Sequence, residues 1–218
     1  MHLPISKRLL ACADFIRPGD TVADVGCDHG YLGIHLLTNG IAKKVFASDI
    51  NKGPLQAARR NAEKYGVADR MTFHLSDGVV NVPRDFDVLV CAGMGGDTMV
   101  SILNSAPWLK SDRYRLVLQC QSKTPLLRRY LSENGWCIKE EAVLKDGRFL
   151  YTVMEIIWDP DAPQLTVGQW YISPALLKND CPETAEYVLR ILEGLRLAVS
   201  HRDDPEKKQA LEELEKVL

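Results

Sequence analysis

Side chains able to do chemistry fall in five short clusters of this chain. Asp24-Val25-Gly26-Cys27-Asp28-His29-Gly30-Tyr31 sets carboxylates, an imidazole and a phenol around two glycines, and Asp49-Ile50-Asn51, Asp77-Gly78, Gly93-Met94-Gly95-Gly96 and Gln119-Cys120-Gln121 follow it. The first cluster closes a short apolar run and opens a stretch with helical spacing, so its glycines fall at a strand-to-helix turn. Glycines there let a ligand approach the backbone, and the start of the helix offers free N–H groups. That combination points to a nucleotide-like cofactor. The phosphate-cradling form of the turn needs G-x-G-x-x-G, whereas Gly26, Gly30 and Gly33 stand at other intervals. Asp49, about twenty residues further on, is placed to accept hydrogen bonds from ribose hydroxyls. Asp77 could accept from an adenine amino group, although Asp-Gly is also a common turn pair.

The elements that must hold these clusters can be read from periodicity. Residues 5–15 have apolar positions at helical spacing and end at Pro18-Gly19, predicting a leading helix. Strand and helix patterns then alternate. Strands are expected at residues 21–25, 44–48, 71–75, 86–91 and 115–119, with helices at 31–37, 54–65, 96–103 and 125–134. Every chemical cluster then lies at a strand exit, where a doubly wound sheet binds its ligands. The rhythm changes at residues 136–144 and 149–158, which flank Lys145-Asp146-Gly147-Arg148, because Asp-Gly between extended runs signals a hairpin. Asp159-Pro160-Asp161-Ala162-Pro163 reads as a linker. Beyond it, Val188, Ile191, Leu195 and Ala198 line one helix, and Leu211, Leu214 and Leu218 line a second opened by Asp204-Pro205. Such a pair cannot bury its apolar stripe alone, so it should dock on the preceding α/β domain, on another copy or on a long ligand.

Composition narrows the class. The 218 residues suffice for one α/β domain and an appendage. No run is long and apolar enough for a membrane span, and the first residues lack a signal peptide's apolar core, so a cytoplasmic protein is expected. The six cysteines form no C-x-x-C pair and are expected to be reduced thiols. Cys27, Cys91, Cys120 and His29 would have to converge to bind zinc, but adjacent strands alternate their faces and Cys is a common buried residue, so no metal is expected. The net charge of −2 does not advertise a nucleic-acid binder. From Glu183 onward there are nine acidic and six basic residues, which leaves the preceding part slightly basic. Lys7, Arg8, Lys123, Arg128 and Arg129 could form a basic face for RNA, or simply a solvated surface.

Taken together, the motifs carry a resemblance. Asp24-x-Gly26-x-x-x-Gly30 resembles the cofactor turn of class I S-adenosylmethionine-dependent methyltransferases. SKRL near the start, ADVGCDHGYL, SDINKGPL, the SDG turn and AGMGG together resemble the bacterial tRNA (adenine(22)-N1)-methyltransferase family over most of residues 5–158. The resemblance implies an α/β fold: a Rossmann-like class I methyltransferase domain with a mostly parallel seven-stranded sheet ending in an antiparallel hairpin, plus a C-terminal helical hairpin. It divides the chain into a catalytic domain at 1–158 and a linker with helical hairpin at 159–218.

The resemblance also implies S-adenosylmethionine as cofactor and tRNA as partner, with no membrane and no protein partner inferable. Cofactor-binding positions are expected at Asp24, Gly26, Gly30, Asp49, Ile50, Asn51, Asp77, Gly78, Gly93, Met94 and Gly95. Asp28, His29 and Tyr31 are the expected catalytic positions, Tyr31 stacking on the target base and Asp28 accepting from its amino group or stabilising the cation formed on methylation. Two departures stand out. Gly93-Met94-Gly95-Gly96 replaces the Asn/Asp-Pro-Pro-Tyr/Phe of many adenine N-methyltransferases, and Gln119-Cys120-Gln121 replaces a Gln-Pro-Asn found in relatives, so Gln119 and Gln121 are assigned no role in base recognition. The residues alone leave open a class I methyltransferase acting on a small molecule or protein, or a noncatalytic RNA- or nucleotide-binding module. A nicotinamide oxidoreductase is disfavoured by the glycine spacing and the terminal hairpin.

Overall fold

The computed structural model describes residues 3–217, so the expected core position at Leu218 lies outside the described residues. Seven strands form one sheet: β1 Thr21–Val25, β2 Lys44–Asp49, β3 Met71–Leu75, β4 Val88–Gly95, β5 Arg115–Ser122, β6 Trp136–Asp146 and β7 Phe149–Trp158. Their order is β3-β2-β1-β4-β5-β7-β6, with β1 to β5 parallel. β7 inserts antiparallel between β5 and β6. The hairpin joining them turns at Gly147, whose φ of 60° is the left-handed conformation the Asp-Gly pair foretold.

Helices cover both faces, which is why the central strands are buried along almost their whole length. α1 Lys7–Ala13, α2 Tyr31–Thr38 and α3 Lys52–Lys64 pack over Val22, Val45, Val88, Val90 and Val117. α4 Gly96–Ser105 and α5 Thr124–Glu133 pack over Phe46, Leu89, Leu116 and Leu118 on the opposite face. The chain leaves β1 towards β2 on one side and returns to β4 on the other. A crevice therefore opens between the carboxyl ends of β1 and β4, where strand order reverses.

Two strands run further than their sequence suggests. β4 continues past Cys91 through Gly93 to Gly95, and its register with β5 shifts on either side of Met94. Gly93 adopts φ +80°, which lets the backbone bulge out of the ladder towards the crevice. β5 likewise continues past Gln119 to Ser122.

The last three helices, α6 Val167–Tyr171, α7 Pro182–His201 and α8 Pro205–Val217, dock on the sheet. Val143 of β6 is buried with Ile172, Leu176, Tyr187, Leu192, Leu195, Ala210 and Leu214, and Leu150 of β7 packs beside them. The junction also corrects one expectation. Arg128 is not part of a basic face but fully buried: its guanidinium lies 2.6 Å from Glu141 and donates to the carbonyls of Trp170 and Tyr171. Arg129, one residue on, is the exposed one, paired with Glu133 and Glu206.

Candidate functional site

At the switch point lies a cleft of about 550 Å3. Asp24, Gly26, Cys27, Asp28, His29 and Tyr31 line it from the first turn, Ala92, Gly93 and Met94 from β4, Gln119 and Gln121 from β5, and Pro4, Ser6, Arg8 and Leu9 from the amino-terminal segment. Of the fourteen residues expected in a site, the structure brings seven onto this surface: Asp24, Gly26, Asp28, His29, Tyr31, Gly93 and Met94.

Asp24 sits at the base of the cleft, 3% exposed. It accepts one backbone hydrogen bond from Gly33, but Oδ2 is buried without a hydrogen-bond partner. Burial, reinforced by the negative charge of Asp49, pushes its carboxyl up to about 7. The thiols of Cys12, Cys27 and Cys91 are also pushed up, first by burial and then by Asp24, which keeps them neutral. Cys27 packs on one face of the sheet and Cys91 and Cys120 on the other, and among the described residues no three metal-ligating side chains gather.

The turn after β1 is built by its own backbone. Gly26 and Cys27 donate to the carbonyl of Ser48, each at 2.9 Å, and Gly30 donates to that of Cys27 at 2.7 Å. Gly26 has φ +73°, and a Cβ there would lie 2.2 Å from the Met94 methyl, so the open surface over Gly26 exists because no side chain occupies it. Gly30 has a different reason to be glycine: a Cβ would meet Ala58 at 2.9 Å, so it lets α2 pack on α3 and does not line the cleft.

Asp28 takes φ 48°, unusual for a residue with a side chain. Its N–H donates to Asp49 Oδ2 at 3.3 Å, while Asn51 N–H donates to Asp49 Oδ1 at 2.8 Å. Asp49 thus braces both turns and retains lone pairs for further donors. The Asp28 and His29 side chains stand at the mouth, 71% and 53% exposed, with His29 Nε2 3.6 Å from Asp28 Oδ1. The His29 and Tyr31 rings are 5.9 Å apart.

The remaining expected residues continue along the same sheet edge, outside the cleft. Asp49, Ile50 and Asn51 follow β2, Ile50 being 64% exposed. Asp77 and Gly78 follow β3, where the Gly78 carbonyl accepts from Ser48 Oγ at 3.2 Å. Gly95 ends β4 beside Ser122.

Two contributors have a place in the site that the sequence does not assign to them. Gln119 is fully buried and its Oε1 accepts from Gly93 N–H at 3.0 Å, replacing the acceptor that the bulged backbone loses. Its polar type in the middle of an apolar strand was the available signal. The amino-terminal segment, including Arg8 of the SKRL motif, forms one wall of the cleft, and nothing in a single sequence says that this helix crosses the strand ends.

A cation-seeking carboxylate, a glycine floor that a Cβ would fill, a second braced carboxylate and rings at the mouth fit S-adenosylmethionine. Asp24 suits its ammonium, Gly26 and Gly93 its close approach to the backbone, and Asp49 its ribose.

Comparison with known proteins agrees. The methyltransferase-domain family matches residues 5–154. The tRNA (adenine(22)-N(1))-methyltransferase of Bacillus subtilis is 30% identical over 154 residues, which span 70% of this chain and 65% of that protein, slightly under two-thirds of its length. Among solved structures, the B. subtilis m1A22 tRNA methyltransferase superposes with a TM-score of 0.82 at 26% identity, covering 99% of this chain and 96% of the other. A tRNA (m1A22) methyltransferase candidate from Streptococcus pneumoniae, in complex with S-adenosyl-L-methionine, gives 0.83 at 30% identity, covering 96% and 99%.

Proposed function

We propose that this chain, which belongs to the methyltransferase-domain family and within it to the tRNA (adenine(22)-N1)-methyltransferases, transfers a methyl group from S-adenosylmethionine to N1 of an adenosine in tRNA, adenosine 22 of the D-arm. The observation that carries the reading is the unpartnered Asp24 oxygen at the base of a cleft whose mouth holds Tyr31, His29 and Asp28.

When bound, S-adenosylmethionine supplies an electrophilic methyl group on a sulfonium. Asp24 holds the ammonium, Asp49 accepts from the ribose hydroxyls, Ile50 and Asn51 border the adenosine half, and Asp77 accepts from the adenine amino group. Gly26, Gly78, Gly93, Met94 and Gly95 shape the floor and edges, and Gly30 sets the start of α2. Adenine N1 has its own lone pair at neutral pH, so these residues must position and desolvate it rather than remove a proton. Methylation leaves a positive charge on the base. Asp28, at the mouth, is placed to stabilise that charge, and Tyr31 and His29 offer ring faces for stacking. N1 lies on the Watson–Crick edge, so the target base must leave its tertiary contacts to enter. A tRNA substrate places the reaction in the cytoplasm. No helix among the described residues is long and apolar enough to cross a membrane.

Incubation with labelled S-adenosylmethionine and a full set of unmodified tRNAs, followed by nucleoside analysis, tests the reading. The expected product is 1-methyladenosine. Its absence across the set, or undiminished turnover without RNA, would overturn the proposal.

A further inference from the structure

The aromatic residues of the terminal hairpin continue the rim of the cleft. Gln119 of β5 pairs with Val153 of β7 and Cys120 with Thr152, so one step further along both strands Tyr151 stands beside Gln121, which lines the cleft. Phe149 lies two residues beyond, and side chains two apart share one face of a strand. Val153, on that same face, is buried among residues of α1 and α2. Arg8 of α1, also on the cleft wall, bridges the gap, with its guanidinium carbon 5.4 Å from the centre of the Tyr151 ring. The Tyr151 and Phe149 rings are 6.1 Å apart and inclined by 36°, and the guanidinium carbon of Arg148 lies 4.9 Å from the centre of Phe149. Phe149 nevertheless stays 51% exposed.

Charge distinguishes this hairpin tip from a stray exposed ring. Lys145 and Arg190 share Glu186, and Arg8 lies 3.7 Å from Asp146, while Arg148 is in no ion pair among the described residues. Four cations therefore meet two carboxylates. Arg190 also donates to the Arg148 carbonyl at 3.0 Å, which fastens the tip to α7. The tip is positive, aromatic, held in place and open, along the line leading out of the cleft. A polyanion with planar bases fits it, because rings accept bases and a guanidinium accepts a phosphate. An uncharged protein surface would leave the excess positive charge unpaired. We propose that Phe149 and Tyr151 form a stacking platform for a nucleotide adjoining the target adenosine, with Arg148 bonding a phosphate of that nucleotide. The proposal rests on the tRNA reading of the cleft and gives it a second point of grip. Drawing the target base into the cleft deprives its neighbours of a stacking partner, and the platform replaces that partner.

Binding of a tRNA transcript to the protein loaded with S-adenosylhomocysteine tests the platform. Phe149→Ala is expected to weaken transcript binding about 5- to 100-fold, whereas Phe149→Tyr, which keeps the ring, should stay within about twofold of the wild type. Arg148→Gln should cost less and lower the slope of log affinity against log salt by about one. Unchanged S-adenosylhomocysteine affinity shows that the variants are folded. The decisive ligands are two transcripts with an abasic residue on one side or the other of the target adenosine. One of them should bind the wild type about as weakly as the intact transcript binds Phe149→Ala, and pairing that transcript with the variant should add little further loss. Losses that simply add for both abasic transcripts, unchanged transcript affinity in Phe149→Ala, or an equal loss of S-adenosylhomocysteine affinity would each overturn the proposal. If the wild-type protein methylated no tRNA, the functional reading itself would fall, and this proposal with it; if it methylated tRNA while Phe149→Ala bound the transcript normally, the platform alone would fall.

Discussion

Asp24 and Glu141 are both buried carboxylates, and they have opposite surroundings. Glu141 has its whole coordination inside the chain: Arg128 Nη2 at 2.6 Å, Arg128 Nε at 3.3 Å and Ser173 Oγ at 2.5 Å. Arg128 Nη1 donates to the Trp170 and Tyr171 carbonyls. Asp24 has one backbone donor, a repelling neighbour in Asp49 and a bare oxygen beside a cleft. A buried charge is costly until it is paired. Glu141 is paired on folding, and it fastens the C-terminal helices to β6. Asp24 keeps a buried oxygen unpaired beside the cleft, as the proposed cofactor-binding role requires of it.

The largest effect that could break this contrast is at the junction. Arg128→Met strands Glu141 and should cost about 3–5 kcal/mol in denaturant unfolding, while adding Glu141→Met should restore most of it. If the single variant instead remained stable but lost cofactor affinity, the two carboxylates would not differ as described. Next comes the mouth of the cleft. Tyr31→Ala should lower methyl transfer to tRNA about 10- to 100-fold by single-turnover kinetics and leave S-adenosylhomocysteine affinity nearly unchanged. Equal losses of both would place Tyr31 in the cofactor site.

Asp24→Asn should weaken S-adenosylhomocysteine binding by about tenfold or more while making the ligand-free protein more stable at pH 8. The sign follows from the raised carboxyl. With a pKa of about 7 in the folded state against an ordinary 3.8, Asp24 favours folding while protonated, and this contribution fades as pH rises from about 4 through 7. Wild-type stability relative to Asp24→Asn should therefore fall over that interval and level off above it, as urea titrations at a series of pH values would record. The smallest expected effect is on binding. Affinity for S-adenosylhomocysteine should rise through about pH 7 in the wild type relative to Asp24→Asn. The neighbouring groups that shape this dependence are Asp49 and the neutral thiols of Cys12, Cys27 and Cys91.

Element order and the terminal hairpin were legible because periodicity and turn chemistry are local. Strand exits were legible for the same reason, and Asp24, Gly26, Asp28, His29, Tyr31, Gly93 and Met94 do meet on one cleft. What was lost depends on distant partners. Arg128 reads as a surface charge on α5 because Glu141, its reason for being buried, lies thirteen residues away on β6 and Tyr171 lies further still. Arg8 reads the same way because α1 reaches the cleft only after the sheet has formed. Gly30 looks like part of a ligand turn, but its missing Cβ is required by Ala58 on α3. The extension of β4 was hidden by its glycines, which disguise a bulge held by Gln119 as a loop.

Mapping the methylated position addresses the central claim most directly. A tRNA transcript with adenosine at position 22, and a second differing only by guanosine there, would be incubated with S-adenosylmethionine and read by reverse-transcription arrest, which a methyl on the Watson–Crick edge imposes. Arrest at position 22 in the first transcript and none in the second is the predicted result. Arrest at another adenosine in both, or in neither, would contradict it.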